Sequence, residues 1–394
     1  MASASELRDP QVLRALAERL RSMTPPPAAL MEVCGTHTVA IARHGLREAL
    51  PAGVRLISGP GCPVCVTPQE EIDRFIAIGR SGGHAASPAY PPYSVTLATF
   101  GDMMRVPGSV ESLERARADG VDVLVVYSPL DAVAAAERHP DRQVVFFGIG
   151  FETTAPAVAL AVSEAKRKTL PNFSVLAAHK LIPPAMMALV GRAFPRPPQS
   201  GGGDAPSATS TPYSPEIDGF LCPGHVSVII GSNAYAPVAE QGKACVVAGF
   251  EPADILRGLE MLLLQIQQGR SEVESEYGRA VRPGGNPRAQ DMMAQVFQPV
   301  DARWRGLGEI PMSGLALREE FAQFDAAKRF HVDIPPAKEP PGCRCGDVLR
   351  GAIDPHECPL FGQACTPTNP VGACMVSSEG ACQAWYRYRG STQP

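Results

Sequence analysis

The sequence predicts an α/β protein with two parallel-sheet halves and a separate cysteine-rich tail, on three observations. Short apolar runs such as 123–127 and 143–147 alternate with amphipathic helical spacings from residue 10 to residue 268, the rhythm of βαβ crossovers. Those runs end in Gly, Pro, Thr, Cys or His, the residues of strand-to-helix turns. Six of the 11 cysteines then crowd between Cys343 and Cys382.

Taken in order, Asp9 and Pro10 open a helix over 10–22, with Val12, Leu13, Leu16 and Leu20 at helical spacing and prolines 25–27 stopping it. An apolar approach ends at Val33 and sets Cys34 and His37 at the next turn. Gly35 relaxes the backbone, Thr36 or Thr38 supplies a cap, and a helix begins at Val39 and runs through Leu46 and Leu50. Cys34 thereby faces the positive end of a helix, which favours the thiolate. The competing reading of the same residue is a small buried hydrophobe.

Residues 54–58 read as a strand entering Gly59-Pro-Gly-Cys-Pro-Val-Cys65, and Thr67-Pro68 as the start of the following helix. Further strands are expected at 95–100, 123–127, 143–148, 173–178, 217–221 and 245–248. Helices are expected at 109–118, 129–138, from the turn at 150–156 to Lys168, and at 183–194 and 252–268. The segments 82–92 and 196–212 read as a loop and a disordered insertion. The two halves meet near residue 130 or 140. Because ligands in open α/β sheets gather at the carboxyl ends of strands, these turns are expected to share a cleft. Beyond residue 281 the pattern loosens into a helix at 290–297, a strand at 305–310, a helix at 316–330 and a proline linker at 335–341.

With 45% hydrophobic and 19% charged residues the composition is that of an ordinary globular protein, and a net charge of -4 supplies no basic field for nucleic acid. The first nine residues are polar where a secretory signal has a basic end and an apolar run, and no apolar stretch reaches membrane-spanning length. These features point to the cytosol, where cysteines serve more often as metal ligands or redox thiols than as structural disulfides. The absence of both G-x-x-x-x-G-K-[ST] and a strand-linked G-x-G-x-x-G disfavours ATP hydrolysis and nicotinamide binding.

The tail cysteines are spaced C-x-C and then by twelve, six, eight and seven residues. Structural zinc prefers paired C-x2-C knuckles, whereas spread thiolates among Gly and Pro turns suit a [4Fe–4S] cluster; zinc and a disulfide knot are the alternatives. Six thiols leave two beyond a cluster's four. Cys62 and Cys65 form a C-x-x-C of the dithiol–disulfide exchange type, or half of a zinc site. His37, His179 and His225 sit at expected strand ends, where an imidazole can move protons or simply satisfy the core. Glu152 is either a cleft carboxylate or a helix N-terminal charge. Cys222 and Cys245 read as core.

Cys-Gly-Thr-His at 34–37, Gly-Pro-Gly-Cys-Pro-Val-Cys at 59–65, Thr-Phe-Gly-Asp-Met-Met-Arg-Val-Pro-Gly at 99–108, Gly-Phe-Glu-Thr-Thr-Ala-Pro at 150–156, Pro-Gly-His-Val-Ser at 223–227 and the six-cysteine tail together closely resemble the HypD family of [NiFe]-hydrogenase maturation factors. The resemblance runs from about residue 25 to about residue 390. It implies two Rossmann-like α/β domains of related topology, expected at 1–135 and 136–280, and a C-terminal [4Fe–4S] domain at 281–394. It implies assembly of the Fe(CN)2CO group of the hydrogenase, in complex with a HypC-type chaperone and with cyanide from a HypE-type carrier. In that scheme Cys34 ligates the iron and Cys62 and Cys65 are the adjacent dithiol, with His37, Glu152 and His225 as the further candidate catalytic residues. Cys343, Cys358, Cys365 and Cys382 hold the cluster, leaving Cys345 and Cys374 as a redox pair. A cluster-dependent thiol–disulfide oxidoreductase is the rival function.

Overall fold

The computed structural model describes residues 6–81, 94–191, 216–334, 336–337 and 339–388, so the segments 82–92 and 196–212 lie outside the described residues. In chain order the strands are β1 (Ala28–Glu32), β2 (Val54–Ser58), β3 (Val95–Thr99), β4 (Asp122–Val125), β5 (Gln143–Gly148), β6 (Phe173–Ala177), β7 (Gly219–Pro223), β8 (Ala244–Ala248), β9 (Val273–Ser275), β10 (Phe297–Trp304) and β11 (Gly308–Leu317). Nine of them build two parallel sheets, ordered β2-β1-β7-β8-β9 and β4-β3-β5-β6, and β10 and β11 pair antiparallel.

The sheets fix the division of the chain. One compact unit comprises Met1–Cys62, Ile182–Gly285 and Pro340–Pro394; the other comprises Pro63–Leu181 and Asn286–Glu339. Each unit is discontinuous and draws on all three of the segments 1–135, 136–280 and 281–394. Leu30, Met31 and Glu32 of β1 pair with Gly219, Phe220 and Leu221 of β7, so the opening βαβ segment is completed by strands far along the chain. Strand rhythm reports that strands exist and is silent on which are neighbours.

In the first unit, Leu16 and Leu20 of the helix Pro10–Ser22 pack with Leu30, Ile41, Leu56, Leu221, Val246 and Leu259. Asp9 caps that helix through the Gln11 amide. In the second unit, Phe146, Val158, Val162, Phe173 and Val175 form the core, joined by Phe297 and Leu317 from the hairpin. Each such side chain contributes roughly 1.5–3 kcal/mol on leaving water.

Two local expectations change. The helix after Cys34 begins at Gly35 rather than Val39 and ends at Arg43, with Leu46–Ala49 a separate 3-10 turn. The strand expected at 305–310 and helix at 316–330 are replaced by the β10–β11 hairpin, a 3-10 turn Glu319–Phe324 and a short helix Ala326–Arg329. Pro299, Pro311 and the glycines at 306, 308 and 314 hide the strand alternation, and Phe297 is held to Leu317 by the register itself. Among the described residues no helix is long and apolar enough to cross a membrane.

Candidate functional site

In the first sheet the chain order reverses between β1 and β7, and in open parallel sheets ligands collect at the carboxyl ends of the strands at such a point. Cys34 follows β1 and His225 follows β7. Their Cys34 Sγ and His225 Nε2 atoms lie 3.7 Å apart. Cys34 is itself the residue before the helix Gly35–Arg43, whose capping oxygen is absent: Thr38 Oγ1 instead donates to Glu32 and to the Cys34 carbonyl. A Glu32 oxygen also accepts from the Cys34 amide at 3.2 Å. The thiol therefore stands among polar groups although it is only 1% exposed.

That burial corrects the expectation of a ready thiolate. Desolvation pushes the Cys34 thiol up to about 12; the nearby His37 and Thr36 amides oppose this, and the Glu379 and Glu32 carboxyls add to it. At one turn of a short helix, the favourable dipole is worth less than the loss of water. Desolvation likewise lifts the Glu32 carboxyl to about 7, against hydrogen bonds from Thr38 and Ser58.

Both imidazoles nearby are held neutral. His37 Nε2 pairs with the Gly249 carbonyl at 2.9 Å, and burial draws His37 down to about 4. Burial lowers His225 as well. The Phe250 ring packs against both, with centroids 5.0 Å from each imidazole.

The C-x-x-C turn approaches Cys34 through backbone. Gly35 donates its amide to the Gly61 carbonyl at 2.8 Å, and a Cβ on Gly61 would stand 2.1 Å from the Cys34 nitrogen. Only glycine permits this approach. Cys62 and Cys65 are disulfide-bonded. Glu152 is buried in the second unit, in the turn between β5 and the helix Ala155–Arg167; His179 is buried there too, just after β6. Cys222 and Cys245 are wholly buried in adjacent strands of the first sheet.

The six tail cysteines line one small cavity together with Leu360, Phe361, Gly372 and Met375. Cys345 Sγ and Cys374 Sγ are 2.7 Å apart and not disulfide-bonded. Gly372 leaves the cavity open: a Cβ there would lie 2.7 Å from Cys343 Sγ. Burial and the neighbouring thiols push Cys343 up, burial raises Cys365, and hydrogen bonding to Cys345 and Cys382 raises Cys374. Such crowding is costly for bare thiolates and is relieved by a soft metal. Among the described residues no three His, Cys, Asp or Glu side chains close around a single ion. The sulfurs line a wall.

Two carboxylates that residue-by-residue reading passes over tie these parts together. Glu32 ends an otherwise apolar strand, and Glu379 lies between Cys374 and Cys382 yet accepts from Thr36 Oγ1 at 2.7 Å. An acidic residue at a strand end two places before a cysteine, and another inside a cysteine-dense segment, were the available signals. Arg47, half-buried, donates to Ser58 Oγ at 3.1 Å and lies over the Trp385 ring at 5.0 Å, a second tie between the sheet and the tail.

The family model HypD, described as "Hydrogenase formation hypA family", matches residues 11–389. The chain is 46% identical over 393 residues to the hydrogenase maturation factor HypD of Azotobacter vinelandii, covering 98% of this chain and 97% of that protein. It is 43% identical to that of Rhodobacter capsulatus over 404 residues, with 99% of each chain covered. With the Escherichia coli K12 protein of the same name it shares 43% over 398 residues, 99% of this chain and 98% of that one.

Proposed function

Because the chain belongs to the HypD family of hydrogenase maturation factors over nearly its whole length, we propose that it is the scaffold on which the Fe(CN)2CO group of [NiFe] hydrogenase is assembled, with a HypC-type chaperone as partner and a HypE-type carrier as cyanide donor. The observation that carries this reading is the lone Cys34 thiol at the reversal point of the first sheet, 3.7 Å from a neutral imidazole. The iron is the substrate. A thiol pushed to about 12 is inert toward electrophiles and oxidants, yet loses its proton when a soft metal binds the sulfur. His225 Nε2 is the acceptor within reach. Glu32 holds the Cys34 amide, so the sulfur keeps its aim as the proton leaves.

The tail fits a [4Fe–4S] cluster by its donor set: with Cys345 and Cys374 paired, Cys343, Cys358, Cys365 and Cys382 remain on the same cavity wall and would hold it. When bound, such a cluster supplies electrons one at a time. Cys345 and Cys374 are close enough to close as a disulfide, releasing two electrons and two protons, and to reopen on taking them back.

The test is an infrared spectrum of the protein co-purified anaerobically with its chaperone. Cyanide and carbonyl bands that vanish in Cys34→Ala support the scaffold. The Cys62–Cys65 disulfide favours one other reading, a stand-alone thiol–disulfide oxidoreductase. Bands absent from the wild-type complex, with thiol exchange intact in Cys34→Ala, would establish that reading instead.

A further inference from the structure

The hairpin of the second unit reaches the segment that follows Cys65 through a buried cation. Arg305, in the β10–β11 connection, donates its backbone amide to the Val66 carbonyl at 2.8 Å and its Nε to the Thr67 carbonyl at 3.0 Å. These are the first two carbonyls after Cys65, at the end of the short helix Pro63–Val66. Arg305 is 4% exposed and its Nη2 makes no hydrogen bond. The hairpin is fixed around it. Trp304 Nε1 donates to Ser313 Oγ at 2.8 Å, the Ser313 carbonyl accepts from the Leu181 amide, and Arg303 pairs with Glu70 at 2.9 Å.

We propose that Arg305 is the positioning residue of the Cys62–Cys65 pair: it clamps the backbone after Cys65 and sets a fixed positive charge beside the sulfur that becomes a thiolate on reduction. This rests on the reading of Cys62 and Cys65 as a redox dithiol, which the resemblance to the HypD family implies. A guanidinium is suited to the task because it cannot lose its charge and presents its donors in a rigid plane. In exchange with a dithiol, the reductant's thiolate attacks one sulfur of the pair and the Cys62–Cys65 bond breaks. One protein sulfur leaves as a thiolate, and the reductant's second thiol closes its own disulfide and frees the other protein sulfur. Two electrons pass to the protein. A nearby cation stabilises the thiolate product, so it makes the disulfide easier to reduce.

The test is the fraction of Cys62–Cys65 reduced at equilibrium in graded dithiothreitol, read by maleimide tagging and peptide mass spectrometry on the full chain. Arg305→Gln is expected to lower the reduction equilibrium constant about tenfold. Arg305→Lys, which keeps the charge without the fork, is expected between the two. Arg303→Gln, at the exposed ion pair of the same hairpin, is expected to stay within about twofold of wild type. An Arg305→Gln value within twofold of wild type overturns the inference, and so does an equal shift in Arg303→Gln, which would assign the effect to hairpin packing. If Arg305→Gln fails to fold, Arg305→Lys decides: a wild-type value overturns the inference and a fall of about threefold supports it. Because the potential is read without maturation, hydrogenase activity surviving in Cys62→Ser would remove the dithiol role and leave a shifted equilibrium as support for Arg305.

Discussion

Glu379 Oε1 accepts a hydrogen bond from Thr36 Oγ1 at 2.7 Å, joining the cysteine-rich segment to the turn that carries Cys34. The contact is close-packed as well as polar. A Cβ on Gly35 would meet Glu379 Cβ at 2.5 Å and its carbonyl oxygen at 2.8 Å. Gly35→Ala must therefore push the tail off the turn, at about 1–3 kcal/mol. Glu379→Gln keeps an acceptor for Thr36 and is expected to cost under about 1 kcal/mol. Thermal unfolding and trypsin cleavage after Arg387 and Arg350 read both. A Gly35→Ala protein as stable and as protease-resistant as wild type would show that the two segments are not locked.

Gly61 makes the second close approach to this turn. With Cys34 N only 2.1 Å and Cys34 Cα 2.4 Å from a Cβ placed there, Gly61→Ala forces backbone against backbone. No rotamer relieves that. Substitution is expected to displace Cys34 from His225 and to abolish cyanide and carbonyl bands in the co-purified complex, while tail iron and acid-labile sulfide stay at wild-type content. Gly53→Ala is the control for a loop glycine remote from the thiol. Bands of normal intensity in Gly61→Ala would mean that the iron is not held at Cys34.

The local elements were legible because each carries its own signal. Asp9 and Pro10, the apolar run of β5, and the leucines of the helix Pro252–Gln267 are short-range facts. What was not legible is long-range. Nothing in residues 28–32 announces that β7 lies beside them, and Pro299 with its neighbouring glycines disguised a hairpin. At the site, spacing singled out Cys34, His225 and the tail thiols, but the reactivity of Cys34 depends on burial, a tertiary quantity. The helix start argued for a thiolate; desolvation reversed the sign. Glu379 was hidden for the same reason, since its role is its contact with Thr36.

His179 sets an acid limit on the second unit. It is 1% exposed, neither ring nitrogen has a hydrogen-bond partner, and burial, with Lys180 adding to it, pulls the imidazole down to about 3. In the unfolded chain it titrates near about 6.5. The folded pKa is depressed, so between these values the unfolded state binds the extra proton. The stability tied to neutral His179 is fully present above about pH 6.5 and drains away as pH falls toward about 3. Between about pH 7 and about pH 5 the loss is on the order of 2 kcal/mol. His179→Leu should flatten that part of the urea-unfolding profile. An unchanged slope would show that the imidazole is protonated within the folded protein.

The tail cysteines can be sorted by their positions on the cavity. Cys345 and Cys374 face each other at 2.7 Å, whereas Cys343, Cys358, Cys365 and Cys382 take other places on the same wall. Ser in place of one of the four removes a thiolate that nothing nearby replaces except the pair itself. Cys343→Ser and Cys365→Ser are therefore expected to lose most of their iron and acid-labile sulfide after anaerobic purification. Cys345→Ser and Cys374→Ser should retain both and lose only the ability to form a disulfide, read as one extra maleimide-reactive thiol after mild oxidation. Cys365 offers a further check, since the Val371 amide donates to its sulfur at 3.4 Å and so favours a ligand thiolate there. If Cys345→Ser emptied the site while Cys365→Ser kept it, Cys345 would be a ligand and the pair would have to be sought between Cys374 and Cys382, whose side chains also interact.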